Sequence, residues 1–252
     1  LYGSVNFAPE DLPVMEADDY RIYLSEMLQS QGLTEAQREA APYMNENTAL
    51  PTYYGFHSRQ NWQRKIFRTS SSKNGYLKIS GGDNIAKYAL SIGFLKNDGI
   101  VKNTDRTRYN TRFNADLNLS KRLTAAANLS FSYQERNLKN LGLDQTTNPL
   151  YSALVKAPFL SVHVLDAKGI ASPDFSDADT FGVSNPVALI EDMQAFNRSY
   201  RFVGSVDLRY ELAPHLDIRS EVAVTMDKVR ESFFIPHTGI VPDTLTDAVA
   251  LN

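Results

Sequence analysis

The chain has 252 residues, a formal net charge of −3, no cysteine and 42% hydrophobic residues. The near-balanced charge gives no electrostatic basis for nucleic-acid binding. The lack of cysteine removes disulfides, thiolate metal sites and cysteine nucleophiles, and no apolar run approaches the ~20 residues of a membrane helix. Barrel strands escape that last exclusion, because they are short and apolar only at alternate positions.

In chain order, the opening LYGSVNFA reads as a strand over 1–8 with no secretory signal before it, so the chain is expected to be a piece of a longer precursor. A long connection follows over 9–72. Within it, Met15–Gly32 carries Tyr20, Tyr23, Leu24, Met27 and Leu28 at helical spacing, with Asp18 or Asp19 to start a helix and Gly32 to stop it. Ser58–Arg68 is a second helical piece, with Trp62 and Ile66 four apart. Strands are then predicted at 73–82, 85–95, 107–119 and 122–134. The first of these is weak, with only Leu77 and Ile79 clearly apolar. A second long connection, 135–198, holds a short helix over Asn148–Leu160 ended by Pro158, and the last strands fall at 199–212 and 215–230.

The strands alternate strictly. RYNTRFNADLNL sets Tyr109, Phe113, Ala115 and Leu117 against Asn110, Arg112, Asn114 and Asp116. The last two strands set Phe202, Val206, Leu208 and Val222 against Asp207, Arg209, Glu211, Asp217, Arg219 and Glu221. A period of two means one apolar and one polar face. Several runs exceed the usual ~5–6 residues and suit the ~9–11 of a tilted membrane strand. Connections also alternate: Gly81–Asn84, Ser120-Lys121 and Ala213–His215 are short, whereas 9–72, 96–106 and 135–198 are longer, as is expected of the tail from Ser232. Short turns at one end and long loops at the other mark outer-membrane barrels. In that reading Leu117, Leu129, Phe202, Leu208 and Val222 face lipid, and Asn114, Asp116, Asn128, Arg209 and Arg219 face the lumen. The repeated charge on the last two strands fits cross-strand pairs of opposite sign. Tyr88, Tyr109, Tyr133 and Tyr200 fall near strand ends, where an aromatic girdle would sit.

No catalytic constellation is apparent. His57, His163, His215 and His237 lack metal-ligand spacing. Asp174, Asp177 and Asp179 in SPDFSDADTFG fail the EF-hand pattern and read as a solvated loop. SGGDN lacks the lysine and helix of a phosphate loop. No serine has a nucleophile-elbow context. No cofactor or metal is therefore expected. Tyr53, Tyr54, Phe56 and Trp62 in the first long loop are the candidate contacts to substrate or partner: they could stack on sugar rings, meet a protein partner or cap the barrel rim.

The ordered set NWQRKIFRTSSSKNGYLKISGG, KYALSIGFLKNDGIVKNTDRTRYN, NPLYSALVKAPFL and NPVALIEDMQAFNRSYRFVGSVDLRYEL, together with LPVMEADDYRIYLSE, resembles the early barrel of SusC-like TonB-dependent transporters over residues 1 to about 230. The resemblance implies an outer-membrane protein of Bacteroidetes-type bacteria that imports oligosaccharides or peptides, with a SusD-like surface lipoprotein as partner. It also implies energy from the TonB complex through a plug domain. That plug is not among these residues. About seven strands are read where such transporters have about 22. The expectation is thus one domain over 1–252, a partial antiparallel transmembrane β-barrel with short helices in its long extracellular loops. A rival from another class is a soluble antiparallel β-sandwich binding carbohydrate, whose apolar faces would meet on a core.

Overall fold

A computed structural model describes residues 1–142, 144–236 and 238–241; Leu143, His237 and residues 242–252 lie outside the described set. One antiparallel sheet dominates. Its strands are β1 (Tyr2–Asn6), β2 (Ser70–Gly82), β3 (Ala86–Asp98), β4 (Asp105–Asn118) and β5 (Leu123–Asn137), then β8 (Gln194–Ala213) and β9 (Leu216–Phe234), each paired to the next in chain order. A separate two-stranded piece, β6 (His163–Leu165) with β7 (Ala171–Phe175), lies within the second long connection. The helices are α1 (Ala17–Ser30), α2 (Glu35–Glu39), α3 (Trp62–Ile66), α4 (Pro149–Val155) and α5 (Pro186–Glu191).

The main strands begin or end several residues beyond the alternating runs at the long-connection end. β3 continues to Asp98, β5 to Asn137, and β8 begins at Gln194. Hydrogen-bonded pairing persists there although the apolar rhythm has stopped, because alternation is required only where one face is apolar. For the same reason β9 reaches Phe234, so the tail starts later than Ser232. The helices come out shorter than expected. α3 keeps only Trp62–Ile66, and α4 stops at Val155, with Lys156 already extended ahead of Pro158. The capping box at α2, in which Thr34 and Gln37 satisfy each other's backbone amides, and the β6–β7 hairpin were not legible as periodic patterns.

The registers put side chains into lateral rows across the sheet. Ile79, Leu90, Phe113, Leu129, Gly204 and Val224 form one row, and Leu77, Ile92, Thr111, Phe131, Phe202 and Met226 the next. Leu117, Leu129, Phe202, Leu208 and Val222 share this face, whereas Asn114, Asp116, Asn128, Arg209 and Arg219 share the other. Among the described residues no helix or second sheet packs on the apolar face: Leu129 is 40% exposed, Val222 65% and Met226 61%. A sandwich would have buried them. The buried hydrophobic cluster belongs instead to the connections. The described residues therefore lack the packed two-sheet core that the soluble sandwich requires.

Aromatic residues border the apolar band. Phe94, Tyr109, Tyr133 and Tyr200 occupy one row, with successive ring centroids 5.2, 6.4 and 4.8 Å apart. Tyr88 and Tyr210 lie on the same face toward the opposite end. Tyr200 and Tyr210 are ten positions apart on β8, about 33 Å along the strand at ~3.3 Å per residue. At the ~40° tilt of barrel strands this spans a height of about 25 Å, the apolar thickness of an outer-membrane barrel.

The three short turns lie together at one end of the sheet, and the three longer connections at the other. The β2–β3 turn depends on Gly82. It sits at φ 144°, and a Cβ there would meet the Ala86 carbonyl oxygen at 2.3 Å. Asp83 closes the turn by accepting from the Ile85 and Ala86 amides.

In the complete barrel, Leu129→Arg should destabilise the fold by about 2–4 kcal/mol, while Asn128→Arg on the opposite face should cost much less. Denaturant unfolding in lipid vesicles measures the difference; equal penalties would contradict the assignment of faces.

Candidate functional site: polar wall and loop layer

On the polar face of β8 and β9, Arg201 stands directly opposite Asp227, 3.6 Å away, but the charges nearer the short turn are not opposed by partners of opposite sign. Asp207 faces Glu221, Arg209 faces Arg219 and Glu211 faces Asp217. Like charges in register repel. The pairs form on the diagonal instead, with Arg209 3.0 Å from Asp217 and Arg219 bound to Asp207. Both arginines and Asp217 are well exposed and Asp207 partly so, so each pair adds little stability. Their effect is to keep this face wet.

The long connections fold together into a layer with its own core. Ala17 and Leu24 of α1, Trp62 and Ile66 of α3, Ala153 of α4, Ile190 of α5 and the segment Ala157–Val162 bury one another, joined by Val101 from the β3–β4 connection. Phe159 is fully buried and is ringed by Tyr20, Tyr43 and Phe181 at centroid distances of 5.7, 6.3 and 6.3 Å. Both Asn-Pro segments start helices in the same way. The Asn148 carboxamide oxygen accepts from the amides of Leu150 and Tyr151, and that of Asn185 from Val187 and Ala188, while the proline at the first helical position has no amide to satisfy. Asn185 does more. Fully buried, it donates to the carbonyls of Val162 (2.8 Å) and Ser176 (3.1 Å), so one side chain ties α5 to the segments flanking the hairpin.

A buried ion pair lies beside this core. Lys156 Nζ is 3.0 Å from Asp179 and donates to the Val183 carbonyl at 3.0 Å, with both side chains almost fully enclosed. Burial pulls the lysine below its ordinary pKa, and Asp179 opposes that shift. Asp179 also accepts from the amides of Phe181 and Val183. It is thus not the solvated acid its sequence context suggested. Asp177 accepts from the Gly239 amide, and the Asp174 backbone carbonyl lies 3.3 Å from His163 Nδ1. No cluster of three or more metal-ligating side chains occurs among the described residues. The described histidines are dispersed: His57 stacks on Tyr53 at 3.7 Å, His163 stacks on Phe175, and His215 sits in the β8–β9 turn.

The four aromatic candidates separate. Trp62 is 3% exposed; its indole N–H donates to the Ala157 carbonyl at 3.0 Å and its ring lies 5.8 Å from Lys156 Nζ. It holds the layer together and offers no surface. Phe56 is half-buried against the core beside Tyr43. Tyr53 and Tyr54, on a short 3-10 turn, meet edge to face at 5.3 Å, and Tyr54 is exposed. The Tyr54 ring covers Gly169, where a Cβ would approach it to 2.8 Å. Phe159 and Asn185 were missed as organising residues, since a single aromatic or amide in a loop has no periodicity to mark it.

No protein-family model matches the chain. It is 24% identical to the TonB-dependent receptor SusC of Bacteroides thetaiotaomicron over 251 residues, covering 88% of this chain and 22% of that protein. It is also 24% identical to TonB-dependent receptor P3 of Formosa agariphila, over 70% of this chain and 18% of the relative. In fold it matches the RagAB peptide importer in its open-open state, with a TM-score of 0.66 at 16% identity over 93% of this chain and 28% of that one. The chain is thus similar to SusC-like TonB-dependent receptors, and its sheet has the fold of part of the RagAB importer. It spans about a fifth of the length of these curated relatives.

Three changes test the SusC-like loop layer. Lys156→Met should cost about 3–5 kcal/mol by stranding a buried carboxylate. Adding Asp179→Asn, which keeps an acceptor for the Phe181 and Val183 amides, should recover much of that loss. Trp62→Ala should cost about 3–5 kcal/mol. Protease sensitivity of the loops against denaturant, measured on the folded barrel, reports all three; an additive double mutant would remove the pair from the account.

Proposed function

We propose that this chain supplies part of the wall and the external loop layer of a TonB-dependent transporter that imports oligomeric nutrients across the outer membrane. The observation that carries the reading is the unpacked apolar band, edged by aromatic rows, on a sheet whose long connections all gather at one end. Such a surface is stable only against lipid. The two sheet edges, β1 and β9, have no further partner among the described residues. An open edge is untenable in the bilayer core, so the wall works within a larger closed barrel.

In this reading the short turns face the periplasm and the loop layer faces outward. A SusD-like lipoprotein meets that layer, energy arrives through a plug from the TonB complex, and the cargo is an oligosaccharide or peptide. In this reading the protein moves its cargo without catalysis. Tyr53, Tyr54 and Phe56 are the aromatic contacts offered to lipoprotein or cargo, because the turn that carries them lies at the surface of the layer. Large aromatics of this kind anchor interfaces, each contributing about 2 kcal/mol or more when buried by a partner.

Uptake of labelled oligosaccharides and short peptides by cells with and without the transporter tests the function. Import should require the neighbouring lipoprotein and stop when the proton-motive force is collapsed; import indifferent to both would refute the proposal. A tag inserted at Asp174 should bind antibody on intact cells, and one at Lys121 should not. Tyr54→Ala should reduce recovery of the lipoprotein with the purified transporter while leaving its thermal stability nearly unchanged.

A further inference from the structure

The polar wall is not uniform in charge. On β8 and β9 acids and bases alternate and pair. On β2 to β5 the outer half of the same face is different. β4 alternates Arg106, Arg108, Asn110 and Arg112 toward the lumen. Arg136 stands directly opposite Arg106 on β5, a like-charge pair in register. Lys78 lies in the same lateral row as Arg112, with Ser91 between them. The other lumen-facing positions of this region are neutral: Asn74 and Tyr76 on β2, Ser91, Gly93 and Leu95 on β3, Asn128 to Gln134 on β5. None of Lys78, Arg106, Arg108, Arg112 or Arg136 is in an ion pair among the described residues. The Arg108 Nε is enclosed and has no hydrogen-bond partner. Glu231, the acid on this face nearest in register to Arg136, lies two strands away and is already held by Asn197.

Unpaired, mutually repelling arginines on one wall weaken the fold unless an anion joins them, and a guanidinium presents a planar fork that matches carboxylate or sulfate oxygens. One exposed aromatic stands among them. Tyr76 faces Gly93 across the β2–β3 pair, and the groove beside it is lined by Ser91, Asn110, Arg112 and Ser130. The missing side chain at Gly93 leaves the ring face open. An open aromatic face beside amide, hydroxyl and guanidinium groups suits a pyranose ring carrying an acidic substituent, whose C–H face lies on the ring while its oxygens reach the polar groups.

We propose that the outer half of the β2–β5 lumen wall is a binding track for acidic oligosaccharides, with Arg108 and Arg112 holding the carboxylate or sulfate groups and Tyr76 the sugar ring. This rests on the transporter reading and adds the cargo class. The test uses the whole transporter and three probes of matched length: an oligouronate, a neutral oligosaccharide and an oligoglutamate peptide. Calorimetric binding is measured at low and high salt, and uptake is measured in cells. Arg108→Gln/Arg112→Gln should weaken oligouronate binding at least about ten-fold and flatten its salt dependence, while weakening neutral-oligosaccharide binding much less. Arg108→Lys/Arg112→Lys should retain part of the binding, which separates charge from folding, and Tyr76→Ser should weaken the oligouronate more than the peptide. Equal losses for charged and neutral probes would assign the arginines to carboxylates elsewhere in the barrel and overturn the proposal, as would tighter binding of the peptide than of the oligouronate. Failure of the wild type to import any probe would instead refute the transport reading, while binding still decides the track.

Discussion

The structure depends on one constraint: seven strands must share a register in which every second side chain meets an apolar medium. The backbone hydrogen bonds alone would tolerate a slip. The side chains do not, since a shift by one residue would turn Leu129, Phe131, Phe202 and Val206 into the lumen and the arginines into lipid. The cost of an arginine on the lipid side, about 2–4 kcal/mol each near mid-membrane, makes the correct register far preferable. The tight turns help to set it. Gly82 with Asp83, and Ser120 accepting from the amides of Arg122 and Leu123, fix where each strand begins its return.

The hydrophobic effect acts twice in this molecule, in separate places. The wall turns its apolar side chains outward and has no interior of its own. The loop layer has a conventional core, built from α1, α3, α4, α5 and the Phe159 segment. Separating the two allows the layer to be rigid without closing the lumen. Its rigidity comes from a few polar groups in the core. Asn185 spans three segments, and Lys156 with Asp179 joins α4 to the loop before α5. Burying these groups fully is costly, and each is satisfied only in one arrangement of the connections. The outer surface of the layer is therefore formed rather than loose.

Much of the wall was legible from residues alone. The Tyr109–Leu117 and Phe202–Leu208 runs show the period of two, and the alternation of Ser120-Lys121 with the 135–198 segment shows which connections share an end. Strand ends were harder. Lys96, Asp98, Arg106 and Phe196 still pair, beyond the point where alternation stops. The expected cross-strand pairs of opposite sign do form, but which residues make them was not legible, for a related reason. Alternation reveals which residues share a face but not which ones stand opposite, and Arg209 faces Arg219 rather than an acid.

By itself the sequence determined the two faces of each strand, the helical start at Asn148, and the ends at which long and short connections lie. All three are local: they depend on periodicity, on a side chain capping its own turn, and on chain length. Only the tertiary structure decided that Trp62 is interior, that Asp179 is buried with Lys156, and that Arg106, Arg108, Arg112 and Arg136 form one unpaired patch beside Tyr76. Those facts depend on which distant segments meet. Contact between residues scores of positions apart is set by register and packing together, and neither leaves a mark on any short stretch of sequence.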